Sequence, residues 1–407
     1  MANIKKDDFF HLSHESAMMP MEMPFIKSKK DQNFTLGIPA ESLINENRVS
    51  FTPQAVKQLV NSGIEIVVES NAGKNAHYKD IEYAEAGARI TDNKAEVYKC
   101  NVIVKVAFPT EEEINLFGTD SVLFSAINLQ HLKSTDLLKL TEKRITAFGF
   151  EIIKDESGIL PLMQSMSEIA GKAAIFIAAE YLSSPKGEGL LLGGITGVVP
   201  TEVIILGAGT VGQFAASTAL ALGADVKVFD NSLYKLRRLN ALHSNKLFNS
   251  VIQNELLNRY LKTADVVIGA LRPHNGRTPC VVSEDMVMQM KENAVIVDIS
   301  IDHGGCFETS KVTGLNNPVF TKHGVIHYCV PNIASAVPQT ASVALSNILT
   351  SVITDFRHPS GLNQYLWEYP YTRHGIYMYK GILTSRSLGL KFNMDSKAID
   401  LLLASNL

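Results

Sequence analysis

The stretch TEVIILGAGTVGQFAASTALALGADVKVFD, residues 201–230, constrains the fold of this chain more than any other. Val203 to Leu206 read as a short apolar strand, and Gly207, Gly209 and Gly212 follow it as G-x-G-x-x-G. A small-residue helical segment then runs to Leu222, Gly223 stops it, and a second apolar strand ends at Asp230. Strand, tight turn, helix and strand in that order are the context in which this glycine pattern predicts a dinucleotide site. Gly207 permits the turn, Gly209 lets a pyrophosphate approach the backbone, and Gly212 lets the helix pack close to its strand. The phosphates would rest on unpaired amides at the helix N-terminus. Asp230 lies about 20 residues beyond the first glycine, where a carboxylate accepts hydrogen bonds from ribose hydroxyls. A carboxylate there repels a 2′-phosphate, so the expected cofactor is NAD rather than NADP.

At 407 residues the chain is long enough for two domains. Its 46% hydrophobic and 19% charged residues are those of a soluble globular protein. The net charge of −3 gives no general attraction to nucleic acid or to an acidic membrane surface. Cys100, Cys280, Cys306 and Cys329 form no C-x-x-C pair, which predicts neither a disulfide framework nor a zinc site and fits a reduced, cytoplasmic setting. Lys5, Lys6, Asp7 and Asp8 lack the apolar core of a secretory signal, and no apolar run reaches about 18 residues, so no membrane span is expected.

Residues 1–33 are irregular and read as an N-terminal extension. From Phe34 the pattern alternates: FTLGIPAES reads as a strand and turn, PQAVKQLVNSG as a helix with a glycine stop, and IEIVVES as a strand. A helix around Lys94 to Tyr98, then NVIVKVAFP, SVLFSAINL and RITAFGFEII, continue it, which predicts a parallel sheet flanked by helices. Ser165 and Glu168 suggest a capping box opening a long helix that links two domains. After Asp230, a helix around Leu233 to Leu242, the strand ADVVIGAL, a helix around Ser283 to Lys291 and the strand AVIVDISID imply a second sheet covered on both faces. A long helix after Pro338 would return the chain to the first region, and the last residues read as short helices.

In a doubly wound sheet, ligands bind beyond the carboxyl ends of the strands. Asp302 closes AVIVDISID just before His303-Gly304-Gly305, where a carboxylate can face a nicotinamide or a polar substrate and assist proton movement. A turn or helix-cap aspartate is the equally weighted reading; Asp298, within the strand, reads as structural. Arg48, in the polar loop after the first strand, has the planar guanidinium that binds a small carboxylate bidentately, although from pattern alone it reads first as a solvated loop arginine. His323 and His327 have H-x-x-x-H spacing in a segment of β type, so no metal is expected.

Taken together, GIPAESLINENRVSFTP at 37–53, MSEIAG at 166–171, ILGAGTVG with Asp230, VDISIDHGGCFETS at 297–310 and YCVPNIASAVPQT at 328–340 resemble the alanine dehydrogenase family. That family also contains the NAD-binding subunit of proton-translocating transhydrogenase. The resemblance implies an α/β chain of two Rossmann-like domains with parallel sheets. The NAD-binding domain, residues 161–338, is inserted into a discontinuous substrate domain made of 34–160 and 339–407. It implies oxidative deamination of L-alanine to pyruvate and ammonium with NAD as oxidant, and a homo-oligomer, hexamers being common in the family. Arg48 matches the family's carboxylate-binding arginine and Asp302 its active-site aspartate. By the same matching Ser167, Gly207, Gly209, Gly212, Asp230, Lys235, Ala270, Leu271, Ile299, Ser300, Ile301, Asp302, Val330, Pro331, Asn332 and Ile333 contact NAD.

The chain departs from that pattern at two positions. The family's substrate-binding lysine falls at Ala107 in VIVKVAFP, leaving Lys105, and its catalytic histidine falls at Asn128 in LFSAINLQHL, with His131 nearby. Asparagine exchanges no proton near neutral pH. Losing one acid/base group typically costs about 10² to 10⁴ in rate. A non-catalytic NAD-binding protein is therefore the alternative expectation, and the transhydrogenase subunit, which needs membrane-embedded partners, a weaker one.

Overall fold

The computed structural model describes residues 34–127, 132–245, 247–272, 277–356 and 361–404. The N-terminal extension, Asn128 and His131 lie outside the described residues. Six strands come first: β1 (Thr35–Ile38), β2 (Glu65–Glu69), β3 (Arg89–Thr91), β4 (Val102–Val104), β5 (Val122–Ser125) and β6 (Thr146–Gly149). Seven follow: β7 (Glu202–Leu206), β8 (Asp225–Phe229), β9 (Phe248–Ser250), β10 (Val266–Gly269), β11 (Val295–Asp298), β12 (Val319–Lys322) and β13 (Val325–Tyr328). The chain closes with β14 (Ile376–Tyr379) and β15 (Ile382–Leu383).

These strands make two sheets, ordered β15-β14-β6-β5-β4-β1-β2-β3 and β12-β13-β11-β10-β7-β8-β9. Both are parallel except at one end, where β14 runs antiparallel to β6 and β15, and β12 antiparallel to β13. Their central strands are buried along their length, Val203 to Leu206 and Val266 to Ile268 being fully so. That explains runs such as VIIL and VVIG, because helices cover a parallel sheet on both faces.

The Pro161–Leu182 helix carries the chain from the first sheet to the second, and the Pro338–Phe356 helix brings it back. The first begins a turn before the expected capping box. Pro161 stands at its first position with φ already set for a helix, so Ser165 and Glu168 lie within it, where Glu168 accepts from Gln164 Nε2 at 3.2 Å. The second helix anchors the loop after β1. Ser342 Oγ accepts from the Val49 amide at 2.9 Å and Ser346 Oγ from that of Thr52 at 2.8 Å.

The C-terminal residues are not helices alone. Lys380 and Gly381, both at positive φ, turn β14 into β15, and the hairpin extends the first sheet beyond β6. Among the described residues, no helix is long and apolar enough to cross a membrane.

Candidate functional site at the facing sheet edges

Each sheet reverses its winding beside its first strand. The switch falls between β1 and β4 in one sheet and between β7 and β10 in the other. At such a point neighbouring connections leave in opposite directions and open a crevice beyond the carboxyl ends of the strands.

In the second sheet, Gly207, Asp230, Ala270, Leu271, Ile299 to Asp302 and Val330 to Ile333 follow the ends of β7, β8, β10, β11 and β13. Gly207 has φ +115°, and a Cβ there would stand 2.4 Å from the Ala270 carbonyl oxygen, so the turn lies against the segment after β10. A Cβ on Gly212 would meet the Gly207 carbonyl oxygen at 1.8 Å, which closes the helix onto the turn. Gly209 differs, since a Cβ there would have no heavy atom within 4 Å. It caps the Thr210–Ala221 helix without a side-chain hydrogen bond, so the amides of the first turn have no side-chain cap. Bare helix-terminal amides under open space fit a pyrophosphate.

Asp230 closes the same turn from β8. Its Oδ2 accepts from the Ala208 amide at 2.8 Å and its Oδ1 from the Ser232 amide at 2.7 Å, while Lys235 Nζ stands 3.9 Å away. Each oxygen keeps a lone pair for a ribose hydroxyl. Ser167 lies within the linking helix, half-buried.

Asp302 is carried on a short 3-10 turn, Ile299–His303, directly after β11. Beneath it, Asp298 accepts from the Cys306 amide at 3.1 Å and Ser310 Oγ at 2.7 Å, and burial pushes its carboxyl up to about 6. Asp298 therefore ties the following Gly304 to Ser310 loop to the strand end, in keeping with a structural role. Burial also raises the Asp302 carboxyl, opposed by the Asn332 amide, which donates to its Oδ1 at 2.8 Å, and by the fields of His303 and Arg48.

The loop after β1 reaches from the first sheet to this edge. Arg48 is buried and forks onto Glu46, with Nε at 2.7 Å from Oε1 and Nη2 at 2.6 Å from Oε2. Its Nη1 lies 3.3 Å from the Met166 sulfur. Asn332 Nδ2 donates to Glu46 Oε2 at 2.8 Å, so one chain of contacts runs from Asp302 through Asn332 and Glu46 to Arg48. Ser335 strengthens the junction, accepting from the Asn47 amide at 2.8 Å and donating to the Asn45 carbonyl at 2.6 Å. Burial alone would raise the Glu46 carboxyl, yet the Arg48 guanidinium holds it below the usual carboxylate range. Burial would likewise lower Arg48, and Glu46 outweighs it and raises it.

Arg48 is thus the buried centre of an ionic cluster rather than a solvated loop residue. Glu46 was not singled out in the sequence, although its two-residue spacing from Arg48 in NENR was the available signal. Lys105, two residues from the position where the resemblance expects a lysine, is committed to other partners. It is fully buried, its Nζ bonds Glu113 Oε2 at 2.8 Å, and Glu41 Oε2 lies 3.8 Å away. Ala107 is also buried, and its amide donates to Glu41 Oε2 at 3.1 Å. His323 bonds Glu284 Oε1 at 2.6 Å, whereas His327 is buried against Thr309 Oγ1 at 2.8 Å.

Two mostly parallel sheets, a glycine turn with bare helix amides on one edge and a buried arginine–carboxylate cluster on the facing edge define a two-domain α/β protein of dinucleotide-binding type. The chain belongs to the alanine dehydrogenase/PNT family: the family's N-terminal domain matches residues 37–170 and its C-terminal domain residues 173–386. It is 36% identical over 368 residues to an alanine dehydrogenase of Staphylococcus epidermidis, covering 90% of this chain and 98% of the relative. Alanine dehydrogenase 2 of Staphylococcus aureus is 36% identical over 370 residues, with the same coverage. Among solved structures, an L-alanine dehydrogenase superposes with a TM-score of 0.82 at 31% identity, over 88% of this chain and 99% of the other. A transhydrogenase from Sinorhizobium meliloti shares the fold, with a TM-score of 0.74 at 24% identity, over 87% and 99%.

Proposed function

We propose that the chain is an NAD-dependent amino-acid dehydrogenase of alanine dehydrogenase type, converting L-alanine, NAD and water to pyruvate, ammonium and NADH. The observation that carries this reading is the continuous path from Asp302 through Asn332 and Glu46 to Arg48, which links the nucleotide-type edge to a buried guanidinium. In this reading residues 161–338 hold NAD and residues 34–160 with 339–407 hold the amino acid.

The bare amides at Gly209 take the pyrophosphate and Asp230 takes the adenosine ribose. Ser167, Lys235, Ala270, Leu271, Ile299 to Ile301 and Val330 to Ile333 line the rest of the cofactor's path. When bound, NAD supplies the hydride acceptor. Arg48 orients the substrate carboxylate, using the guanidinium hydrogens left over from its fork on Glu46. Asp302, held by the Asn332 amide, faces the reacting carbon. Appearance of NADH absorbance with L-alanine tests the reading, and no turnover with any small L-amino acid contradicts it.

A specific observation favours a second reading, that of a non-catalytic NAD-binding protein. Ala107 leaves no cation at its position and Lys105 is committed to Glu113. Tight NAD binding without turnover is its expected signature. Recovery of activity by Ala107→Lys with Asn128→His would then identify the lost groups.

We also propose a homo-oligomer. Leu191, Ile195, Val198 and Val199 lie exposed in the glycine-rich segment before β7, and Phe176 is exposed on the linking helix. Apolar groups gathered like this mark a protein contact, and a second copy is the partner most available to every copy. Val199, 87% exposed, is the most open of them. Val199→Asp with Leu191→Asp is expected to shift the mass measured by light scattering to a smaller species with NAD binding retained; an unchanged mass places the contact elsewhere.

A further inference from the structure

Glu41 is the carboxylate that neither the sequence nor the cluster around Arg48 accounts for. It follows β1 by three residues, at the switch point between β1 and β4. Its Oε1 accepts from the Val106 amide at 2.6 Å and its Oε2 from the Ala107 amide at 3.1 Å, so the side chain lies across the carboxyl end of β4. Only 4% of that side chain is exposed. It is therefore buried beyond the carboxyl ends of β1 and β4, beside the position where the resemblance expects a lysine and the chain has a methyl group.

The charges around Glu41 are unevenly shared. Lys105 Nζ is 2.8 Å from Glu113 and 3.8 Å from Glu41, and Lys94 Nζ adds a second cation to Glu113 at 3.0 Å. Burial alone would raise Glu113, yet Lys105 leads a set of partners that hold it down at about 2. Glu41 has the more distant side of Lys105 and the two amides, and Glu46 adds a like charge across the loop. Burial prevails there and pushes the Glu41 carboxyl up to about 7, near neutrality, where a group both takes and gives protons readily. Arg48 lies in the fields of both Glu41 and Asp302, which places Glu41 in the same charge cluster as the Arg48 guanidinium.

We propose that Glu41 is the proton-exchanging carboxylate of this crevice, standing in for the acid/base group that the chain lacks at Asn128. The proposal rests on the dehydrogenase reading. Amino acid, NAD and water give 2-oxo acid, ammonium, NADH and one proton, and the proposal assigns that proton a destination. As the Cα–H bond breaks and its electron pair leaves as hydride to the oxidant, one N–H bond of the substrate ammonium breaks and leaves its pair in the new C=N bond. The released proton forms the O–H bond of Glu41. Water then adds to the iminium carbon and ammonium departs, with no further net proton.

The test compares wild type, Glu41→Gln and Glu41→Asp by steady-state kinetics and by carbon NMR of glutamate-labelled protein. The wild type is expected to show one glutamate carboxyl titrating near 7, absent from Glu41→Gln. Glu41→Gln is expected to lower kcat by about 10² to 10⁴ with KM for L-alanine little changed, and to remove the limb of kcat/KM that rises with pH through neutrality. Glu41→Asp is expected to recover part of kcat and keep the limb. NAD affinity, measured by calorimetry, is expected to be equal in all three and reports that they are folded. A Glu41→Gln enzyme that keeps wild-type kcat and its neutral limb overturns the proposal. Absence of turnover in the wild type defeats the dehydrogenase reading separately. The assignment of Glu41 is then judged by NMR alone, where a carboxyl titrating in the ordinary glutamate range overturns it.

Discussion

Arg48→Met should weaken the fold by about 3–5 kcal/mol and abolish saturation by L-alanine, because it leaves the buried Glu46 carboxylate without its cation. The arginine is within hydrogen-bond distance of both Glu46 oxygens, and their side chains are only 10% and 2% exposed. Removing one member of such a pair costs more than the pair contributes, since the remaining charge must stay desolvated. Arg48→Met with Glu46→Gln is therefore expected to recover much of the stability in urea denaturation without recovering substrate binding, which separates the two roles.

The pH dependence has a definite sign. Glu46 titrates below its ordinary value in the folded protein, so its contribution is present above the unfolded value of 4.5 and fades as pH falls through the lowered one. In the double variant that acid-side loss should be missing.

The second large effect is expected at Gly209. The position is the N-cap of the Thr210–Ala221 helix, and a Cβ added there meets no heavy atom within 4 Å. Aspartate is a favoured N-cap and its charge suits the helix N-terminus. Gly209→Asp is thus expected to fold with unchanged or higher thermal stability. The same carboxylate occupies the amides proposed for the pyrophosphate and repels it, so NAD affinity should fall by about a hundredfold or more, roughly 2.7 kcal/mol. Calorimetric titration with NAD reads this directly; undiminished affinity would place the cofactor elsewhere. Gly212→Ala cannot serve as the test, because its Cβ would strike the Gly207 carbonyl and disturb the turn itself.

The second sheet and its edge were legible because they rest on local signals. A strand, three glycines at fixed spacing and a terminal acid predict a turn whose geometry depends on neighbouring residues only, and the ends of β10, β11 and β13 then follow from parallel pairing. The Leu233–Leu242 and Lys94–Tyr98 helices were likewise read at their observed bounds. The C-terminal hairpin was missed because β14 and β15 are short and are held by a partner, β6, far away in sequence.

The charge cluster was harder for the same reason. Arg48 was placed by resemblance, but its burial depends on Met166 and on the Pro338–Phe356 helix that pins its loop. Glu41 gave no sign in the sequence and Glu46 only its spacing from Arg48, since their roles arise from amides at 106–107 and from Asn332. Lys105, two residues from the expected lysine, has its ammonium turned to Glu113, which only the packing of the Glu111–Leu116 helix decides.

Hydride transfer from the α-carbon of an amino acid oriented by Arg48 to a nicotinamide held at the Gly209 edge is the central claim. Incubation with NAD and L-alanine deuterated at that carbon, followed by mass spectrometry of the reduced cofactor, measures this directly. The expected result is one deuterium in the reduced nicotinamide, with pyruvate formed in equal amount. Reduced cofactor without deuterium, or none at all from a protein that binds NAD, contradicts it.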